Sequence, residues 1–224
     1  MDFNALLHTL PGPAVYAFIA LIVGIESIGV PLPGETMLIA ATLASRVSTA
    51  DFGPTGIFLA AAGGAIVGDS IGYWVGREKG NDLLNWISRR FPKHVTPAHI
   101  GWTRDLMGEY GMGTVFGGRF VVLLRMLAGP LAGTMGMHYP SFLLANATGG
   151  IAWAGIMVSA LWFLGAAAEK YLTGFGWVFL GLILVAIVLG SRKINATMQH
   201  NVGKWADAHP AEMAEWRASL ERKA

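Results

Sequence analysis

Five ionisable side chains stand inside stretches that are otherwise apolar: Glu26, Glu35, Asp69, Arg119 and Arg125. A charge at the centre of a membrane helix costs at least about 2.5 kcal/mol, so each is expected to pair with another or to serve a substrate or a proton. The two glutamates belong to ESIGVPLPGE, residues 26–35, which lies between the apolar runs VYAFIALIVGI and MLIAATLA. The two arginines belong to GRFVVLLR, residues 118–125. Arginine keeps its charge and offers a planar fork that fits phosphate bidentately, which makes Arg119 and Arg125 candidate binders of an anionic headgroup. Burial and a neighbouring arginine act in opposite senses on the protonation of a carboxyl group. Glu26 and Glu35 are therefore candidate proton carriers as well as substrate-site residues. Asp69 is a third candidate for proton coupling, although an acid near a helix end can simply cap or pair with Arg77 or Lys79. The sharpest expectation is spatial: Glu35 should meet Arg119 or Arg125 despite roughly 90 intervening residues.

The composition says what must hold these groups. Of 224 residues, 54% are hydrophobic and 13% charged, with a mean hydropathy of +0.50. Soluble domains carry about 25% charged residues, so an all-α integral membrane protein is expected. The net charge of +2 arises from basic residues clustered between apolar runs. This is the pattern of loops beside membrane spans, and no nucleic-acid partner is expected. Without cysteine there is no disulfide and no thiolate metal site. The first 13 residues hold Asp2 and no lysine or arginine, unlike the basic start of a cleaved signal peptide.

Read in order, the chain is one membrane domain, 1–224, in two similar halves. In the first half, 1–76, residues 2–10 carry a helical apolar stripe suited to the membrane surface. Residues 14–45 form a hairpin broken at Pro31 and Pro33, because neither flanking run reaches the roughly 20 residues that a crossing needs and proline interrupts a helix. Residues 56–76 are long enough to span, with Gly63, Gly64, Gly68 and Gly72 spaced to admit another helix closely. In the second half, 77–168, the hydrophilic region 77–110 interleaves six basic residues with Leu83, Leu84, Trp86, Ile87 and Phe91, so part of it is expected to be an interfacial amphipathic helix. A second broken hairpin follows at 111–137 and a second span at 139–168. A last span is expected at 174–190, and a polar tail at 191–224 in which Trp205 and Trp216 mark a surface helix.

This gives two re-entrant broken hairpins facing each other in an inverted-repeat-like arrangement, about three transmembrane helices and amphipathic surface helices. Transporters use such repeats to open one central site to either side. The middle loop and the tail each hold six Lys or Arg, so both are expected on the cytoplasmic side, with the amino terminus outward. No phosphate loop and no nucleophile elbow occurs. His94 and His99 lack a familiar metal spacing and, like His138, are read as interfacial. No catalytic residue, cofactor or metal is expected.

Three blocks give the sequence a resemblance to the DedA family of bacterial inner-membrane proteins, related to the VTT-domain scramblases. They are ESIGVPLPGE at 26–35, GDSIGYWVGREKG at 68–80 and FGGRFVVLLR at 116–125, the last continued by LAG and MHYPSFLLANATGGIAW. The resemblance implies a re-entrant-hairpin fold and lipid transport linked to proton-motive force. Its lipid partners would be undecaprenyl phosphate or phosphatidylethanolamine, with protons as co-substrate and a homo-oligomer allowed. The family's functional acids resemble Glu26 and Glu35, and its functional arginines resemble Arg119 and Arg125. The chain departs from the family where Val122 replaces a proline and where Pro130 falls one place late. Set against lipid transport are proton-coupled movement of a small ion or solute, a lipid-modifying enzyme, for which no nucleophile, base or metal cluster is found, and a structural scaffold.

Overall fold

The computed structural model describes residues 11–30, 32, 34–46, 50–90, 95–171, 193 and 196–221, and among them all regular structure is helical. The helices are α1 (Gly12–Ser27), α2 (Gly34–Ala44), α3 (Pro54–Lys79), α4 (Asn81–Arg90), α5 (Pro97–Tyr110), α6 (Met112–Gly118), α7 (Val122–Thr134), α8 (Tyr139–Tyr171), α9 (residues 196–208) and α10 (Pro210–Glu221). The surface helix expected at 2–10 and the span expected at 174–190 lie outside the described residues.

Two helices are long and apolar enough to cross a membrane, Pro54–Lys79 and Tyr139–Gly165. At 1.5 Å per residue the 26 residues of α3 reach about 39 Å, more than the roughly 30 Å of a hydrocarbon core. By the same measure α1 and α7, with 16 and 13 residues, reach only about 24 and 20 Å. The short helices come in two pairs, α1/α2 and α6/α7, each joined through a break. The first break follows Ser27, where Gly29 adopts φ 110°, a conformation that favours glycine. A methyl there would also press on the Ile87 side chain and the Met126 carbonyl. In the second pair the break does not fall at the proline. Pro130 lies within α7, and the chain turns at Arg119–Phe120 and extends at Val121.

Pro130 is tolerated because it is used for packing. Gly72 and Gly76 of α3 lie against Pro130, while Gly129 and Gly133 of α7 lie against the backbone at Asp69 and Tyr73. On its other side α3 places Gly64 and Gly68 against Ala20 and Gly24 of α1. Side-chain-free contacts let backbones approach and gain dispersion energy where lipid offers no hydrophobic drive. Of the glycines expected at such contacts, Gly63 alone faces open space. The helix continues through Arg77 and Lys79, three residues beyond the expected end of the span.

Two apolar clusters divide the bundle. Val15, Ile19, Leu38, Ile57, Ala61, Trp153 and Val158 belong to one, and Tyr73, Leu84, Ile87, Leu127, Leu131 and Phe142 to the other. Along α3, Asp69 falls between them, as do Arg119 after α6 and Asn146 within α8. The charges occupy a layer with apolar packing on both sides.

Among the described residues the region 77–110 comprises the end of α3, the amphipathic α4 and the capped α5, so the amphipathic helix takes up part of it. Leu84 and Ile87 are buried while Trp86 is exposed. His99, expected at the interface, is buried as a cap instead. Thr96 accepts from the His99 backbone N–H while the His99 imidazole contacts the Thr96 hydroxyl and backbone N–H, closing a reciprocal cap on α5. Trp205 of α9 donates its indole N–H to Asp105, 2.8 Å away, and its ring covers Gly101, so it docks on α5 rather than on lipid.

Gly76→Ala forces a methyl into the Pro130 backbone and is expected to destabilise the fold by about 1–3 kcal/mol in thermal unfolding. Gly63→Ala should be neutral or stabilising by up to about 1 kcal/mol. Burial holds the His99 imidazole below its ordinary 6.5. Because the unfolded chain then takes up the proton first, this contribution is whole above pH 6.5 and is lost as pH falls toward the lowered value. Unfolding midpoints measured against pH should show that loss, and His99→Gln should flatten it.

Candidate functional site

The break after α1 brings two carboxylates to one guanidinium. Glu26 lies in the last turn of α1 and Glu35 in the first turn of α2. Arg125 lies in the first turn of α7, its N–H bonded to the Val121 carbonyl at 2.9 Å. The Arg125 Nη2 reaches Glu26 Oε1 at 2.5 Å and its Nη1 reaches Glu35 Oε1 at 3.0 Å. The fork is thus split between two acids rather than bidentate on one. Its guanidinium carbon stands 4.8 Å from the centre of the Trp153 ring, a cation–π contact within the usual 6 Å.

The helix ends make this pairing necessary. A carboxylate at a helix C-terminus and a guanidinium at an N-terminus both oppose the helix dipole. Glu26 and Arg125 are each so placed, and each relieves the other. Glu26 is also held by the Gly34 N–H, 3.1 Å from its Oε2, so it serves the N-terminus of α2 while ending α1. A side chain at position 34 would collide with that carboxylate, which explains the glycine before Glu35. Arg125 and Glu26 are buried, whereas the Glu35 side chain is 41% exposed. This cluster is open at one acid.

Arg119 and Asp69 form a second cluster. Asp69, expected near a helix end beside Arg77 or Lys79, has ten more helical residues after it and is fully buried. Its partner is Arg119, with Nη2 2.5 Å from Asp69 Oδ2, while Arg77 donates instead to the Tyr73 hydroxyl at 2.7 Å. The approach is an ion pair without an aligned hydrogen bond, and Arg119 Nε and Nη1 also find no buried partner among the described residues. Nη2 further donates to the Ala65 carbonyl at 3.1 Å and to the Asn146 side-chain oxygen. Asn146 in turn donates to the Ile66 carbonyl at 3.1 Å. Gly149 and Gly150 leave the room that the Arg119 side chain occupies against α8.

All five sequence-derived residues therefore lie in the charged layer, but in two clusters. Glu35 meets Arg125, not Arg119. Sequence reasoning missed Asn146, Trp153 and Gly34. Asn146 had a signal: an amide inside a long apolar helix is costly unless bonded. Trp153 had none, since an aromatic in a span is ordinary. His138 is exposed just before α8, and His94 lies outside the described residues. Among the described residues no group of three or more His, Asp or Glu stands close enough to hold a metal ion.

Residues 32–163 match the VTT domain. The chain belongs to the VTT-domain, or DedA, family. An uncharacterized membrane protein of Mycobacterium tuberculosis is 46% identical over 186 residues, 83% of this chain and 85% of that relative. A Mycobacterium leprae membrane protein is 45% identical over 190 residues, 85% and 87% of the two chains. One from Synechocystis is 37% identical over 167 residues, 72% and 75% of the two. No solved structure matches. Two apolar spans in a chain of this family make it a membrane protein. The VTT match includes Glu35, Asp69, Arg119, Arg125, Asn146 and Trp153, and it begins after Glu26.

Removing one partner of a buried ion pair strands the other charge and costs about 3–5 kcal/mol. Asp69→Ala is expected to destabilise by that amount in thermal unfolding, and Asp69→Ala combined with Arg119→Met should recover much of it. Additive losses would mean that the two residues do not act as a pair.

Proposed function

We propose that the protein is a flippase or scramblase that moves undecaprenyl phosphate, or a similar anionic or zwitterionic phospholipid, across the bacterial inner membrane. In this reading the α1/α2 and α6/α7 pairs are re-entrant, the middle loop and the tail are cytoplasmic, and the breaks line a polar path for a headgroup. Irregular backbone at membrane depth is tolerated where it is buried in protein or lines such a path. The observation that carries the reading is the split fork of Arg125, with one arm on buried Glu26 and the other on half-open Glu35. A phosphate that displaces Glu35 from Nη1 gains a charge-assisted hydrogen bond without leaving the guanidinium unpaired.

Formal charge explains a role for protons. Arg125 with Glu26 and Glu35 sums to −1, one positive and two negative groups, so an approaching phosphate is repelled. A proton on either acid brings the sum to zero and frees one arm of the fork. Proton uptake by the cluster and headgroup entry are then coupled. The Arg119–Asp69 cluster, already neutral and fully buried, holds α3, α6 and α8 together during the exchange.

The test is transport of a fluorescent undecaprenyl-phosphate analogue in proteoliposomes, together with binding of the unlabelled lipid by native mass spectrometry. Arg125→Gln is expected to weaken binding by about 2–5 kcal/mol and to stop transport. Binding by the wild type should strengthen as pH falls, and Glu26→Gln combined with Glu35→Gln should remove that dependence while keeping the binding. Full binding by Arg125→Gln would exclude the headgroup role. Uptake of a soluble ion or solute without lipid movement would make the protein a small-solute transporter.

A further inference from the structure

Helix α3 carries an exposed apolar stripe that ends in aromatic residues. Leu59, Val67, Ile71 and Trp74 are exposed in turn along it, and the Trp74 ring lies 5.3 Å from that of Tyr139 at the start of α8, tilted 41° to it. Tryptophan and tyrosine in this position mark the headgroup level. Immediately beyond, Arg77, Glu78 and Lys79 are exposed, and α4 begins two residues later at Asn81. Helix α4 therefore lies at the membrane surface. Its inner face, Leu84, Ile87 and Ser88, is buried. Its outer face gathers Asp82, Asn85, Trp86, Arg89 and Arg90 around a hollow of about 400 Å³. Trp86 is 55% exposed.

We propose that this outer face of α4 binds the phosphate of anionic phospholipids in the leaflet beside it. Arg89 and Arg90 less Asp82 leave a charge of +1 on the face, matched to a monoanionic phosphodiester. Guanidinium groups supply planar donors to phosphate oxygens, the Asn85 amide supplies another, and the Trp86 ring sits among glycerol and acyl carbons at the level where tryptophan is favoured. Basic residues next to a membrane gain from an anionic leaflet through the same attraction. The site stands apart from the Arg125 cluster, and none of its residues takes part in that cluster.

The experiment is native mass spectrometry of the full chain from micelles doped with phosphatidylglycerol or phosphatidylcholine. The wild type is expected to retain phosphatidylglycerol in preference. Arg89→Gln with Arg90→Gln should lower that retention on the order of tenfold, with phosphatidylcholine unaffected, while Arg89→Lys with Arg90→Lys keeps most of it. Excess inorganic phosphate should leave the lipid in place. Equal retention of the two lipids by the wild type, unchanged retention by the glutamine pair, or a lysine pair as weak as the glutamine pair would overturn the proposal. Displacement of the lipid by inorganic phosphate would do the same, since it would make the face a soluble-anion site.

Discussion

A guanidinium buried among apolar helices cannot stand alone, and Arg125 is where that rule shapes the molecule. Both of its acids come from one ten-residue stretch, and neither could reach it if α1 and α2 ran on as a single helix. The chain stops at Ser27, turns through Gly29 and restarts at Gly34, so that a carboxylate ending one helix and a carboxylate opening the next face the same point. Gly34 is bare because Glu26 lies on it. Helix dipoles that oppose Glu26 and Arg125 separately are offset once the two meet. Sequence, break and ion cluster are one solution to a single electrostatic requirement.

The other half of the layer follows the same rule with a different outcome. Arg119 leaves the end of α6, crosses to α3 and α8, and is enclosed by Asp69, the Ala65 carbonyl and Asn146. Nothing there is open, whereas Glu35 keeps one side to the exterior. Two arginines six positions apart thus have opposite surroundings, one closed on a neutral pair and the other sharing two acids. Their environments separate them although their residue type does not.

Much of this was legible in the sequence because membrane burial makes charge conspicuous. Glu26, Glu35, Asp69, Arg119 and Arg125 stood out as ionisable groups in apolar runs, and the small residues of α3 announced close helix contacts. The two long helices and the interrupted run at 26–35 could be read from length and proline. What could not be read was partnership. Asp69 has basic residues nearby in sequence, and only packing shows that α3 turns it inward toward Arg119. Pro130 reads as a breaker by local rules, yet it lies inside a helix because the glycines of α3 make a seat for its ring. His99 looked interfacial because its capping of Thr96 depends on where α5 starts. Tertiary contacts settled Asp69 and Pro130 against a local preference, and the start of α5 settled His99.

Pro130 has a mechanical consequence. Lacking an N–H, it gives no helical bond to the carbonyl of Met126, four residues before it and adjacent to Arg125. That carbonyl points toward Gly29, the pivot of the first break. On either side of the proline, Gly129, Gly133 and the Thr134 hydroxyl, 3.2 Å from the Gly76 carbonyl, fasten α7 to α3. The helix is therefore fastened to α3 around its proline and short of one backbone bond on the turn beside the guanidinium, where the ion cluster with Glu26 and Glu35 supplies the tie that the helix ladder lacks.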